Sequence, residues 1–106
     1  MVNRRIILDD LKQHLILNYG KSVRDVILFG SRARGGSKKY SDFDIVIVLD
    51  KAYSGKDENL ILDLCYDIDL KYDILLDVHL ISEKELDTIR GRQSIFINAL
   101  KSGIYA

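Results

Sequence analysis

The chain has 106 residues, 47% of them hydrophobic and none of them proline, which suits one domain with a modest core and leaves no room for a second, substrate-binding domain. Lys and Arg number 16 against 16 Asp and Glu, so no global charge argues for wrapping nucleic acid or lying on a membrane surface. The single cysteine, Cys65, excludes an intrachain disulfide framework. With no signal-peptide pattern and no long apolar span, the expected setting is a reducing cytoplasm without membrane attachment.

From Arg4 to Tyr19 the apolar residues Ile7, Leu8, Leu11 and Leu15 recur at the spacing of one helical face packed on a core. Gly20 suits the C-terminal stop of that helix. His14 lies within it without metal-ligand companions nearby and reads as a partly exposed structural histidine. Val23 to Phe29 contains the β-favouring run Val26-Ile27-Leu28-Phe29 and predicts a strand that ends at Gly30.

The stretch Phe29-Gly30-Ser31-Arg32-Ala33-Arg34-Gly35 follows. Gly30 has no Cβ, so a triphosphate can approach the backbone there, and the Ser31 hydroxyl with the following N–H groups can donate to phosphate oxygens. Ser31 to Gly35 is expected to begin a short helix whose N-terminus faces bound phosphate. Arg34 is a candidate nucleotide or phosphate contact, and Arg32 a weaker one. Gly35 to Tyr40 reads as a flexible basic loop serving solubility.

Ser41-Asp42-Phe43-Asp44 leads into the apolar run Ile45 to Leu49, the pattern of a strand covered on both faces. Residues two apart on a strand point to the same side, about 6.6 Å apart along the chain, so Asp42 and Asp44 would converge. Two carboxylates so placed repel unless a cation or hydrogen bonds compensate. Mg²⁺ prefers hard oxygen ligands and is commonly held by one or two carboxylates together with substrate phosphates.

Asp50 to Asn59 is polar and without clear periodicity, and a loop is expected there. Leu60, Ile61, Leu64 and Ile68 then predict a helix through about Tyr72, with Cys65 packed beside its buried face and Asp63, Asp67 and Asp69 on its wet side. Asp73 to Ile81 turns to strand, and alternation places Asp77 with His79 opposite Leu76, Val78 and Leu80. Asp77 is the odd polar residue of this strand, and a carboxylate there faces either a metal site or an open edge. Asp73 is its rival. His79 shares the side of Asp77 and reads as an ordinary exposed strand position, with contact to a nucleotide or acceptor as the alternative. Ser82-Glu83-Lys84-Glu85 has capping-box spacing. Ile95, Phe96, Ala99 and Leu100 predict a final short helix ending before Gly103, which either finishes the core or docks a partner chain.

Gly30-Ser31, Asp42-x-Asp44 about ten residues later and Asp77 on a subsequent strand together resemble the minimal nucleotidyltransferases, which share the DNA polymerase beta type of catalytic core. The resemblance spans about Val23 to Ile81. The wording Gly30 to Gly35 is especially similar to the antitoxin partners of HEPN-domain toxins.

This resemblance implies an α/β fold over residues 1–106, a small mixed β-sheet with helices mainly on one face and the site at a sheet edge. It implies Asp42, Asp44 and Asp77 as catalytic and metal-holding residues, two Mg²⁺ ions, and Gly30, Ser31 and Arg34 at the phosphates of ATP. The implied reaction is transfer of AMP from ATP to a hydroxyl, with a tyrosine of a partner HEPN toxin as acceptor. An antitoxin that neutralises its partner by stoichiometric binding is the alternative from another class. A small-molecule nucleotidyltransferase of the aminoglycoside-modifying type ranks below both, because the additional helical region of those enzymes is missing.

Overall fold

The computed structural model describes residues 3–30, 43–88 and 90–106. The expected helix forms as α1 (Arg4–Asn18), started by Asn3, whose Oδ1 accepts the Arg5 N–H at 2.8 Å. It buries Ile7, Leu8, Leu11 and Leu15. Gly20 has φ of +131°, a backbone conformation that lets the chain turn out of α1. Strand β1 (Val23–Phe29) follows, then β2 (Phe43–Leu49), antiparallel to it with Phe29 opposite Asp44.

The helix expected near Leu60 begins earlier, as α2 (Gly55–Tyr72). Ser54 and Asp57 form a reciprocal capping box: Ser54 N–H donates to Asp57 Oδ2 at 2.8 Å, and Asp57 N–H donates to Ser54 Oγ at 3.3 Å. The polar character of 50–59 concealed this start, because Asp takes the place that Glu or Gln commonly holds in the motif. Leu60 is 43% exposed and does not belong to the buried face, which is Ile61, Leu64, Cys65 and Ile68. Asp69, expected on the wet side, instead accepts the Leu76 N–H at 3.0 Å and ties α2 to the next strand.

That strand is β3 (Leu76–Ser82), three residues shorter at its start than the sequence pattern. Asp73 is the left-handed C-cap of α2, with φ 54° and ψ 53°, which removes it from the strand and from rivalry with Asp77. Ser82 and Glu85 make the expected capping contacts, Ser82 N–H donating to Glu85 Oε1 at 3.1 Å, but the helix they start is a short 3₁₀ turn, Glu83–Asp87. A second 3₁₀ turn, Arg90–Arg92, leads to α3 (Ser94–Ser102) and a two-residue strand, β4 (Ile104–Tyr105), which no sequence pattern announces.

The sheet order is β3-β2-β1-β4, with β2 and β3 parallel and the other neighbours antiparallel. Strand alternation sorts the side chains to two faces. Val26, Leu28, Phe43, Ile45, Ile47, Leu49 and Leu80 pack with α1 and α2. Ile27, Val46, Val48 and Ile81 pack instead with Phe96 and Ala99 of α3. The final helix therefore finishes the core, on the face opposite the two long helices.

Two consequences position the site. The β2-α2-β3 crossover makes β2 and β3 start at the same end of the sheet, and antiparallel β1 ends there. The residues that α3 covers come from the middle and far ends of the strands. Phe29, Asp44, Asp77 and His79 share that face at the end where Gly30 leaves the sheet.

Candidate functional site

Asp44 and Asp77 are each the second residue of their strand and stand opposite each other in the parallel β2-β3 register. Parallel neighbours lie about 4.8 Å apart across the sheet and share one face, so the two carboxylates are side by side. His79, two residues beyond Asp77, lies on the same face opposite Val46. A carboxylate oxygen of each aspartate and a ring nitrogen of His79 all lie within 4.8 Å of one another. This is a cluster assembled by topology from positions 33 and 35 residues apart.

Asp77 is the exposed member of the cluster and the other two are partly buried. The Asp77 side chain is 51% exposed and that of His79 is 25% exposed, while Asp44 is half-buried. His79 is thus not the ordinary exposed strand position of the sequence pattern. Its ring lies 6.1 Å from that of Phe29 at an interplanar angle of 57°, a tilted aromatic contact that holds it against the end of β1. Nε2 is closed to solvent and has no hydrogen-bond partner among the described residues. It stands 3.5 Å from Asp77 Oδ2, a close approach that lacks hydrogen-bond geometry.

Gly30 borders the cluster. Its φ is +82°, and a Cβ placed there would lie 2.6 Å from Asp44 Oδ2. Gly30, singled out in the sequence as a phosphate contact, is thus the residue that makes space for the Asp44 carboxylate. The left-handed backbone and the nearby carboxylate both exclude a side chain.

The donor set fits a divalent cation. In an octahedral ion with metal–oxygen bonds of about 2.1 Å, adjacent ligands are about 3.0 Å apart and opposite ones about 4.2 Å; the 3.5 Å from His79 Nε2 to Asp77 Oδ2 falls between these, and all three groups lie within 4.8 Å of one another. Two carboxylates on adjacent strands would hold such an ion. Of the other residues singled out in the sequence, Ser31, Arg32, Arg34 and Asp42 lie outside the described residues, as do the expected short helix from Ser31 and the basic loop ending at Tyr40.

The remaining candidates are structural. His14 is held at both ring nitrogens, Nε2 by Asp67 Oδ2 at 2.8 Å and Nδ1 by the Asn18 amide at 3.2 Å, as expected for a structural histidine. Cys65 is buried, and desolvation pushes its thiol up to about 12, which leaves it inert as a nucleophile. Among the described residues, no helix is long and apolar enough to cross a membrane.

Three comparisons bear on this geometry. The nucleotidyltransferase domain family model matches residues 5–106. A Methanocaldococcus jannaschii protein, named by inference a protein adenylyltransferase, is 34% identical over 85 residues, covering 80% of this chain and 79% of its own length. A toxin–antitoxin complex with AMP-PNP shares the fold at a TM-score of 0.61 and 18% identity, over 92% of this chain and 69% of the matched one. A complex of tri-AMPylated Shewanella oneidensis HEPN toxin with its MNT antitoxin does so at 0.56 and 16% identity, over 97% and 71%.

Proposed function

Because this chain belongs to the nucleotidyltransferase domain family and is a nucleotidyltransferase, we propose that it transfers AMP from ATP to a hydroxyl of a partner protein, a tyrosine of a HEPN toxin, with release of pyrophosphate. The observation that carries the reading is the side-by-side placement of Asp44 and Asp77 on parallel strands next to Gly30, where a positive φ and the nearby Asp44 carboxylate exclude a Cβ. The named activity of the archaeal relative supports AMP as the group transferred. The fold shared with MNT antitoxins in complex with HEPN toxin supports the class of acceptor.

In this mechanism Asp42, Asp44 and Asp77 would hold two divalent ions in the full site, and Gly30, Ser31 and Arg34 orient the β- and γ-phosphates. A metal held there would supply Lewis-acid polarisation of the α-phosphate and offset the charge developing on it. The acceptor hydroxyl oxygen attacks the α-phosphorus, the bond from that phosphorus to the bridging oxygen breaks, and pyrophosphate departs. The hydroxyl proton passes to the Asp77 carboxylate, the more exposed of the two described acids and hence the one open to an incoming acceptor.

Intact-mass measurement of a co-expressed partner, after incubation with ATP and Mg²⁺, tests the reading. The expected result is a mass increase of one or more AMP units that disappears with the Asp42→Asn/Asp44→Asn variant. Transfer undiminished in that variant rejects the mechanism. Full neutralisation of the partner by the variant without any transfer would instead favour stoichiometric binding.

A further inference from the structure

We propose that His79 Nε2 is a third protein ligand of the ion held by Asp44 and Asp77, so that the site takes a first-row transition cation such as Mn²⁺ in preference to Mg²⁺. The inference rests on the metal reading above and extends it from carboxylates to nitrogen.

Three observations carry it. First, Nε2 is shut away from solvent without a hydrogen-bond partner among the described residues, and a polar atom in that state requires a partner of some kind. His14 shows what a histidine with an internal structural role looks like in this fold, since both of its nitrogens are bonded. Second, the 3.5 Å from Nε2 to Asp77 Oδ2 is too long and too poorly aligned for a hydrogen bond. It lies between the distances of about 3.0 and 4.2 Å that separate adjacent and opposite ligands of one octahedral ion. Third, the ring is held from behind by Phe29, and strand alternation fixes it on the face of both acids.

The chemical consequence follows from ligand type. Mg²⁺ prefers an all-oxygen environment, whereas imidazole nitrogen favours later first-row ions; Mn²⁺ tolerates both carboxylate and imidazole and still binds phosphate oxygens. One nitrogen donor therefore shifts the preference of an otherwise acidic site.

The test measures binding of the metal alone. Mn²⁺ is titrated into the intact chain by electron paramagnetic resonance, and Mg²⁺ is scored by competition, for the native protein and for His79→Ala, His79→Gln and Asp44→Asn. The expected result is Mn²⁺ affinity about tenfold or more above that for Mg²⁺, lost in large part in both His79 variants while Mg²⁺ affinity changes by less than about threefold. A second readout needs no variant. With Zn²⁺ as a diamagnetic probe, the ¹⁵N resonance of His79 Nε2 should shift while that of His14, the other of the chain's 2 histidines, stays in place.

Mn²⁺ binding that survives His79 substitution but not Asp44→Asn, with an unmoved His79 resonance, overturns the inference and leaves the proposed function standing. Absence of AMP transfer from a protein whose His79 does ligate Mn²⁺ has the opposite meaning: the nitrogen ligand stands and the assigned reaction falls.

Discussion

Asp44 Oδ2 sits 2.6 Å from the point where a Cβ on Gly30 would be, so the end of β1 and the start of β2 share one small space at the head of the site. Phe29 and Asp44 are paired across the strands, and the turn of the chain at Gly30, with φ of +82°, brings its backbone over the carboxylate. Gly30→Ala should therefore act twice. The left-handed backbone costs about 1–3 kcal/mol for a residue with a side chain, and the Asp44 carboxylate must move. Thermal melts should show the first effect, and metal affinity of the still-folded fraction should show the second as a loss beyond what the change in stability explains. Unchanged metal affinity would separate Gly30 from the acidic pair.

Asp77→Asn tests the opposite balance. The side chain is half exposed and its one described contact is the 3.5 Å approach of His79, so the folded state should change by no more than about 0.5 kcal/mol. Loss of the carboxylate removes both a cation ligand and the assigned proton acceptor, and transfer should fall by on the order of 100-fold or more. Urea melts and single-turnover transfer assays on one preparation would show the contrast. A parallel loss of stability would mark Asp77 as a structural acid instead.

Acid sensitivity is expected from a different part of the molecule. Asp10 accepts hydrogen bonds from Lys71 at 2.6 Å and from the Tyr72 hydroxyl, linking α1 to the end of α2. The Lys71 bond first, and the Tyr72 bond second, hold its carboxyl below the usual carboxylate range. Because the folded value is the lower one, the stabilisation is fully present above the unfolded value of about 3.9. It is lost as pH falls through the depressed folded value. In melts from pH 7 down to pH 2, native protein and Asp10→Asn should differ at neutral pH and converge at the acid end. A gap that stays constant across the range would refute the assignment.

Cys65 offers a report on unfolding. Burial raises its thiol to about 12, and the side chain lies in the α1-α2 core. Alkylation by iodoacetamide at pH 8 should be slow in the native chain and accelerate with denaturant in step with the loss of helix signal. Rapid labelling under native conditions would show local opening of α2.

Periodicity carried the element types, because it is a property of neighbouring residues. Ile7, Leu8, Leu11 and Leu15 recur at the helical period, and Leu76, Val78 and Leu80 at the strand period, so α1 and the facing of β3 could be read directly. Capping chemistry was local as well. Ser54-x-x-Asp57 was present to be read and was obscured only by the polar run around it. Asp69 and Asp73 were harder, since one is defined by a bond to Leu76 and the other by a left-handed turn, neither of which leaves a periodic trace.

The order of chemical groups along the chain, glycine, acidic residues and then a lone acid and histidine in an apolar strand, was written in the residues themselves. Their meeting was not. Asp44 and Asp77 become neighbours only because α2 carries the chain back to start β3 parallel to β2, and strand pairing across such a distance depends on the whole core closing. The burial of His79 Nε2 was likewise set by Phe29 and the sheet around it. An imidazole has the same formula on a wet strand as beside two carboxylates, and its surroundings give it a role.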